Sequence, residues 1–178
     1  MYGVASANDG FICDFHLNNA LYSPVNGDVI VAGLYQRKIP AVLCSRDAET
    51  AHSVRRFRHS IPSILSPREL SSESVLSAFA ACINEFSGKY SRERRPWETL
   101  VRFEELVFDG GDSARVFIIV PGWDSKALIE IEISRADISF YEEIVGALRS
   151  EENYRCKAFV NLDAVGMQEL YVKDWVSI

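Results

Sequence analysis

Apolar and polar positions along this chain follow one rhythm in the first half and another in the second. In the first half, short apolar runs alternate with stretches of helical period. Phe11-Ile-Cys13 is a compact apolar run closed by Asp14. Ser23-Pro24 reads as a helix start, with Ser as N-cap and Pro at the first helical position. Asp28 then falls in the first turn, where a carboxylate suits the helix dipole. Ile39–Cys44 reads as a buried strand, Asp47 as the cap of a helix over about 48–59, and Ile61–Leu65 as a third short strand. Ser71 or Ser72 opens a helix whose Val75, Leu76, Phe79, Ala80, Ile83 and Phe86 keep a 3.6-residue period. The order β-α-β-α-β-α predicts parallel strands joined by right-handed crossovers.

Gly88–Pro96 is polar, holds Gly and Pro, and has no periodicity, so it reads as a boundary. Beyond it, Leu100–Phe108 is strand-like and Asp109-Gly-Gly-Asp112 is a strong turn signal. Ala114–Val120 is a second strand, closed by a Pro121-Gly122 turn. Leu128–Ile133 alternates apolar residues with Glu, as a half-buried strand does. Phe140–Leu148 reads as one short helix capped by Asp137 or Ser139, and Tyr154–Leu162 and Glu169–Ile178 as two more strands. Five strands with a helix between the third and fourth are the pattern of a small OB-like barrel; an SH3-like barrel or a small α+β sheet fits nearly as well. The expected fold is therefore an α/β unit at 1–90, a linker at 91–97, and a mostly-β unit at 98–178 forming a five-stranded small barrel with one helix.

Composition narrows the function. The chain has 178 residues, with 48% hydrophobic and 25% charged, values that fit a folded globular protein and exclude a disordered, collagenous or coiled-coil one. Its longest apolar runs, such as Val116–Val120, are far too short to span a bilayer, and no basic region follows Met1, so no membrane segment or secretory signal is expected. Residues 1–90 carry 8 Lys/Arg and 8 Asp/Glu, while 91–178 carry 11 and 17, so the net charge of −6 lies wholly in the second half. An acidic half is a poor general binder of phosphate backbones. The four cysteines, Cys13, Cys44, Cys82 and Cys156, each sit in apolar context with no Cys-x-x-Cys. They read as buried free thiols of a reducing cytoplasm.

In the first half, Asn8–Leu17 resembles the third strand of bacterial response-regulator receiver domains, where an apolar strand ends in the phosphoacceptor Asp. Gly27 and its helix match the helix after the acceptor loop. Lys38–Ser45 resembles the fourth receiver strand with its terminal Thr or Ser, and Ile61–Pro67 the fifth with its Lys-Pro. The similarity covers about residues 6–88 and implies a flavodoxin-like parallel unit. It makes Asp14 the phosphoacceptor equivalent and Ser45 and Ser66 the switch equivalents. Two features depart from the family. Ser66 stands where receivers have Lys, and the Mg²⁺-holding acidic pair has no counterpart, because the similarity begins at the third strand. An aspartate attacking a phosphoryl group needs such cations to offset the meeting of two anions. The resemblance thus implies a degenerate, N-terminally shortened receiver-like unit.

Other candidates are weaker. His16 lies two residues beyond Asp14, a spacing compatible with acid–base work. His52 and His59 lack ligand partners at metal spacing. Ser45 and Ser66 have no nucleophile elbow. Arg55, Arg56 and Arg58 form a basic cluster beside Phe57 that offers a contact patch. Aromatic residues on the second-half strands would stack on bases if that half bound single strands, although its acidity argues against it. The leading expectation is a cytoplasmic bacterial regulatory protein that acts by protein–protein contact and forms a homodimer, with no cofactor, no metal and no membrane. The alternatives are a nucleic-acid-associated regulator with a single-strand-binding OB-like barrel, and an enzyme using Asp14 in a cleft at the strand ends.

Overall fold

Residues 9–18, 22–46 and 51–178 are described by the structure, a computed structural model. The chain divides into two units, Met1–Ser91 and Arg92–Ile178. The first alternates β1 (Phe11–Asp14), α1 (Gly27–Gln36), β2 (Ala41–Cys44), α2 (Ala51–Phe57), β3 (Ile64–Leu65) and α3 (Ser72–Phe86). Its sheet has the order β1-β2-β3 with both pairings parallel. Every residue of β2 is buried, as the central strand of a parallel sheet requires. Ala41 and Leu43 share a core with Val31, Leu34, Val54 and Ile61. The pleat turns Val42 and Cys44 to the opposite face. α3 also packs on β2, where Cys82 Sγ donates to the Ala41 carbonyl at 3.4 Å.

Several boundaries move, each for a local reason. α1 starts at Gly27 with Asn26 at the N-cap, not at Ser23-Pro24, because the Ser23 hydroxyl accepts from the Val25 N–H at 3.2 Å and closes a turn of its own. The second helix is Ala51–Phe57, followed by a 3₁₀ turn at Arg58–Ser60; its expected cap, Asp47, lies outside the described residues. The third strand shrinks to Ile64–Leu65, since Pro62 has no N–H to give a ladder. Ser71 caps α3 as expected, within a capping box shared with Ser74. The face that α3 buries differs from the expected one. Ala78, Cys82 and Glu85 are buried, while Leu76 and Ile83 are 66% and 53% exposed.

The second unit holds β4 (Trp97–Asp109), β5 (Ser113–Val120), β6 (Asp124–Ser134), α4 (Tyr141–Arg149), β7 (Tyr154–Val160) and β8 (Val172–Val176). These five strands form an antiparallel sheet in the order β6-β5-β4-β7-β8. The expected barrel is not closed: among the described residues, β6 and β8 are separate edges. The burial pattern shows why. Alternate residues of β4 to β7, such as Val101, Phe103, Val116, Ile118, Ile129, Ile131, Cys156 and Ala158, are drawn into one core. Ile144, Val145 and Leu148 of α4 join that same core, so a helix covers the face that a closed barrel would wrap around itself. The opposite face carries charge pairs such as Arg115–Glu130 and Lys157–Glu98. α4 begins after Phe140, with no side-chain cap from Asp137 or Ser139.

The stretch expected as a linker is partly built into this unit. Arg92–Arg94 makes a 3₁₀ turn whose carbonyls are bound by the second unit: Asn161 Nδ2 donates to Glu93 O at 2.9 Å and the Tyr171 hydroxyl to Arg94 O. No described helix is long and apolar enough to cross a membrane.

Candidate functional site

The parallel sheet brings the sequence's candidate residues to one edge. Its register sets Asp14 beside Cys44 and Cys44 beside Leu65, so Ser45 and Ser66 follow one residue beyond that row. The carboxyl ends of parallel strands are where open α/β sheets bind ligands, because the chain turns away there and leaves a crevice.

Asp14 is exposed at the end of β1. Its Oδ1 accepts the His16 N–H at 2.8 Å, a local turn that occupies one carboxylate oxygen. The His16 ring stands edge-on to Phe15, centroids 4.9 Å apart. The Asp14 main chain is fixed from the other side by α1. The Gly27 N–H donates to Phe15 O at 3.0 Å, and a Cβ on Gly27 would lie 2.1 Å from Asp14 O. Only glycine lets the helix start this close to the strand end.

Ser45 is buried, and its N–H donates to Leu65 O at 3.0 Å, tying the ends of β2 and β3 together. Ser66 is half-buried and opens a tight turn: its N–H donates to Glu69 Oε2 at 2.8 Å, and the Glu69 N–H donates back to Ser66 O at 3.0 Å. Those bonds from Ser66 hold the Glu69 carboxyl below the ordinary range. Burial pushes the Cys44 thiol up, and the Asp14 charge adds to it while Arg46 opposes it. Burial also raises Cys13. All four cysteines are free and buried.

A cavity of about 620 Å³ opens at this edge, lined by Arg46, Ser66, Pro67 and Arg68. Neither arginine stood out in the sequence. The signal was there: one follows Ser45 directly and the other follows Ser66-Pro67, so each of two adjacent strands ends in a serine and a nearby cation. The basic cluster expected as a contact patch is largely drawn inward. Arg55 and Arg58 are buried, Arg58 Nη1 being turned onto the Ile61 carbonyl, and half-buried Arg56 lies 5.2 Å over the Phe57 ring. Among the described residues, no three His, Cys, Asp or Glu side chains gather at metal-binding distance.

The chain matches no protein-family model, no curated protein and no solved structure.

Proposed function

We propose that this is a bacterial regulatory protein that works by protein–protein contact through a degenerate receiver-like first unit, and that its first partner is a second copy of itself. One observation carries the reading. β1 lies at the edge of its sheet, pairing among the described residues with β2 alone, and Ile12 on it is 51% exposed. An edge strand of that kind can template pairing with another strand. Two copies of one edge satisfy each other about a two-fold axis, the commonest closed symmetry of identical chains. The exposed Leu76 and Ile83 of α3 supply further apolar surface. Four buried free thiols suit a reducing cytoplasm.

A non-catalytic role fits the acid site. Asp14 has one oxygen committed to a turn, and Ser66 offers no cation where a receiver has its Lys. Acetyl phosphate with Mg²⁺ should therefore leave the intact mass unchanged. A stoichiometric phosphate adduct that disappears in Asp14→Asn would restore the phosphoacceptor role. Light scattering at micromolar concentration tests the dimer: the wild type should run at twice the chain mass and Ile12→Pro, which removes an edge donor, at the chain mass. A wild-type monomer would overturn self-association.

A further inference from the structure

The cavity at the ends of β2 and β3 combines features that the protein-contact reading does not use. It is lined by Arg46, Ser66, Pro67 and Arg68, on a chain whose net charge is −6. Each cation adjoins hydrogen-bonded backbone. Arg46 follows Ser45, whose N–H is bound to Leu65 O at 3.0 Å. Arg68 sits inside the Ser66–Glu69 turn, closed by two hydrogen bonds of 2.8 and 3.0 Å. The one carboxylate in that turn, Glu69, is committed to the Ser66 N–H. Among the described residues, no carboxylate pairs with either guanidinium, although both are exposed where surface arginines readily find acids.

We infer that this cavity binds a phosphorylated small molecule, its phosphate held by Arg46 and Arg68. Guanidinium groups present paired N–H donors in a planar fork that matches phosphate oxygens, and such charge-assisted bonds are about twice as strong as neutral ones. The Ser66 hydroxyl can donate a further bond. A volume of about 620 Å³ lies within the range of small-molecule sites and is far more than a bare phosphate fills. The remaining space takes the organic part of a phosphate monoester. The inference stands on the cavity alone and does not depend on the receiver resemblance.

Calorimetric titration of the full chain without divalent ions tests it, with inorganic phosphate, adenosine monophosphate and succinate as probes. Phosphate and the nucleotide should compete for one saturable site, the nucleotide binding more tightly. Arg46→Gln and Arg68→Gln should each weaken both by about ten- to a hundredfold, while Lys89→Gln, on an exposed residue that does not line the cavity, should leave them unchanged. Both arginines are exposed, so unaltered melting temperatures will show that the variants remain folded. Three results would each overturn the proposal: no saturable binding at millimolar phosphate and nucleotide, binding that survives both arginine variants, or succinate binding as tightly as phosphate.

Discussion

At the scale of single residues, two glycines of one helix should respond in opposite directions. Gly27 meets the Asp14 carbonyl so closely that any Cβ forces backbone to move, whereas nothing lies within 4 Å of a Cβ on Gly33. Gly27→Ala should cost about 1–3 kcal/mol as an overpacking change. Gly33→Ala, in the same helix, should stabilise by roughly 0.5–1 kcal/mol through backbone entropy and propensity. Urea titration of both variants checks the pair, and equal shifts would contradict the close approach. Asn161 is fully buried, and its amide satisfies three main-chain groups: it donates to Glu93 O and Glu169 O and accepts from the Tyr171 N–H at 2.7 Å. Asn161→Leu leaves all three unpaired, so the loss should be at least about 1–3 kcal/mol, read as a lowered denaturation midpoint. Nothing in the sequence marked Asn161, because its partners lie 68, 8 and 10 positions away. Gly27 was visible as part of a resemblance, but its steric reason was not.

Elements were more legible than their faces. The alternation of apolar runs with helical periods gave the parallel β-α unit, and turn chemistry gave the hairpins, since these signals are local in sequence. The face of α3 was misjudged because Leu76 and Ile83 keep the helical period yet point to solvent, while small Ala78 and Cys82 are buried and Cys82 donates to the Ala41 carbonyl of β2. Periodicity reports amphipathicity and not which stripe finds a partner. The barrel was misjudged for a related reason: five half-apolar strands serve equally a closed barrel and an open sheet under a helix. Arg46 and Arg68 escaped notice because only the parallel register brings the ends of β2 and β3 together. One link between elements carries a pH dependence. Asp109, at the end of β4, accepts from Arg149 Nε of α4 at 2.9 Å and from the Gly111 N–H at 3.0 Å, and these hold its carboxyl below the ordinary value, the Arg149 bond most strongly. A depressed carboxyl stabilises the fold above its unfolded pKa of about 4 and loses that contribution as the pH falls through the folded value. Between about pH 5 and pH 2, the wild type should therefore lose more melting temperature than Asp109→Asn. Superimposable acid limbs would mean that the linkage is absent.

The whole molecule consists of two units, each with a core drawn from its own residues. The first core runs from Cys13 to Ile61 and the second from Val101 to Leu170, with no residue shared. The second unit also takes in its own leading segment, since Asn161 and Tyr171 bind the Arg92–Arg94 turn and Arg95 stacks on Trp97 at 4.4 Å. Domains somewhat smaller than this unit commonly fold alone. Residues 92–178 made separately should thus fold and unfold cooperatively. Trp97, Trp123 and Trp175 are all in this unit, so tryptophan fluorescence follows it specifically. Trp123 Nε1 donates to Ala164 O at 3.0 Å, and Trp175 packs 5.4 Å from the Phe103 ring, which ties the signal to native packing. The last strand decides whether that packing survives. β8 pairs with β7 through Val172–Val160 and Lys173–Phe159, and Trp175 lies against the core from it. A fragment ending at Val172, which removes all but the first residue of β8 together with Trp175, should lose the cooperative transition and the blue-shifted emission of packed tryptophan. If residues 92–178 melt without a cooperative transition, the second unit does not stand alone; if the fragment lacking β8 melts like the longer one, the fifth strand contributes nothing to its stability.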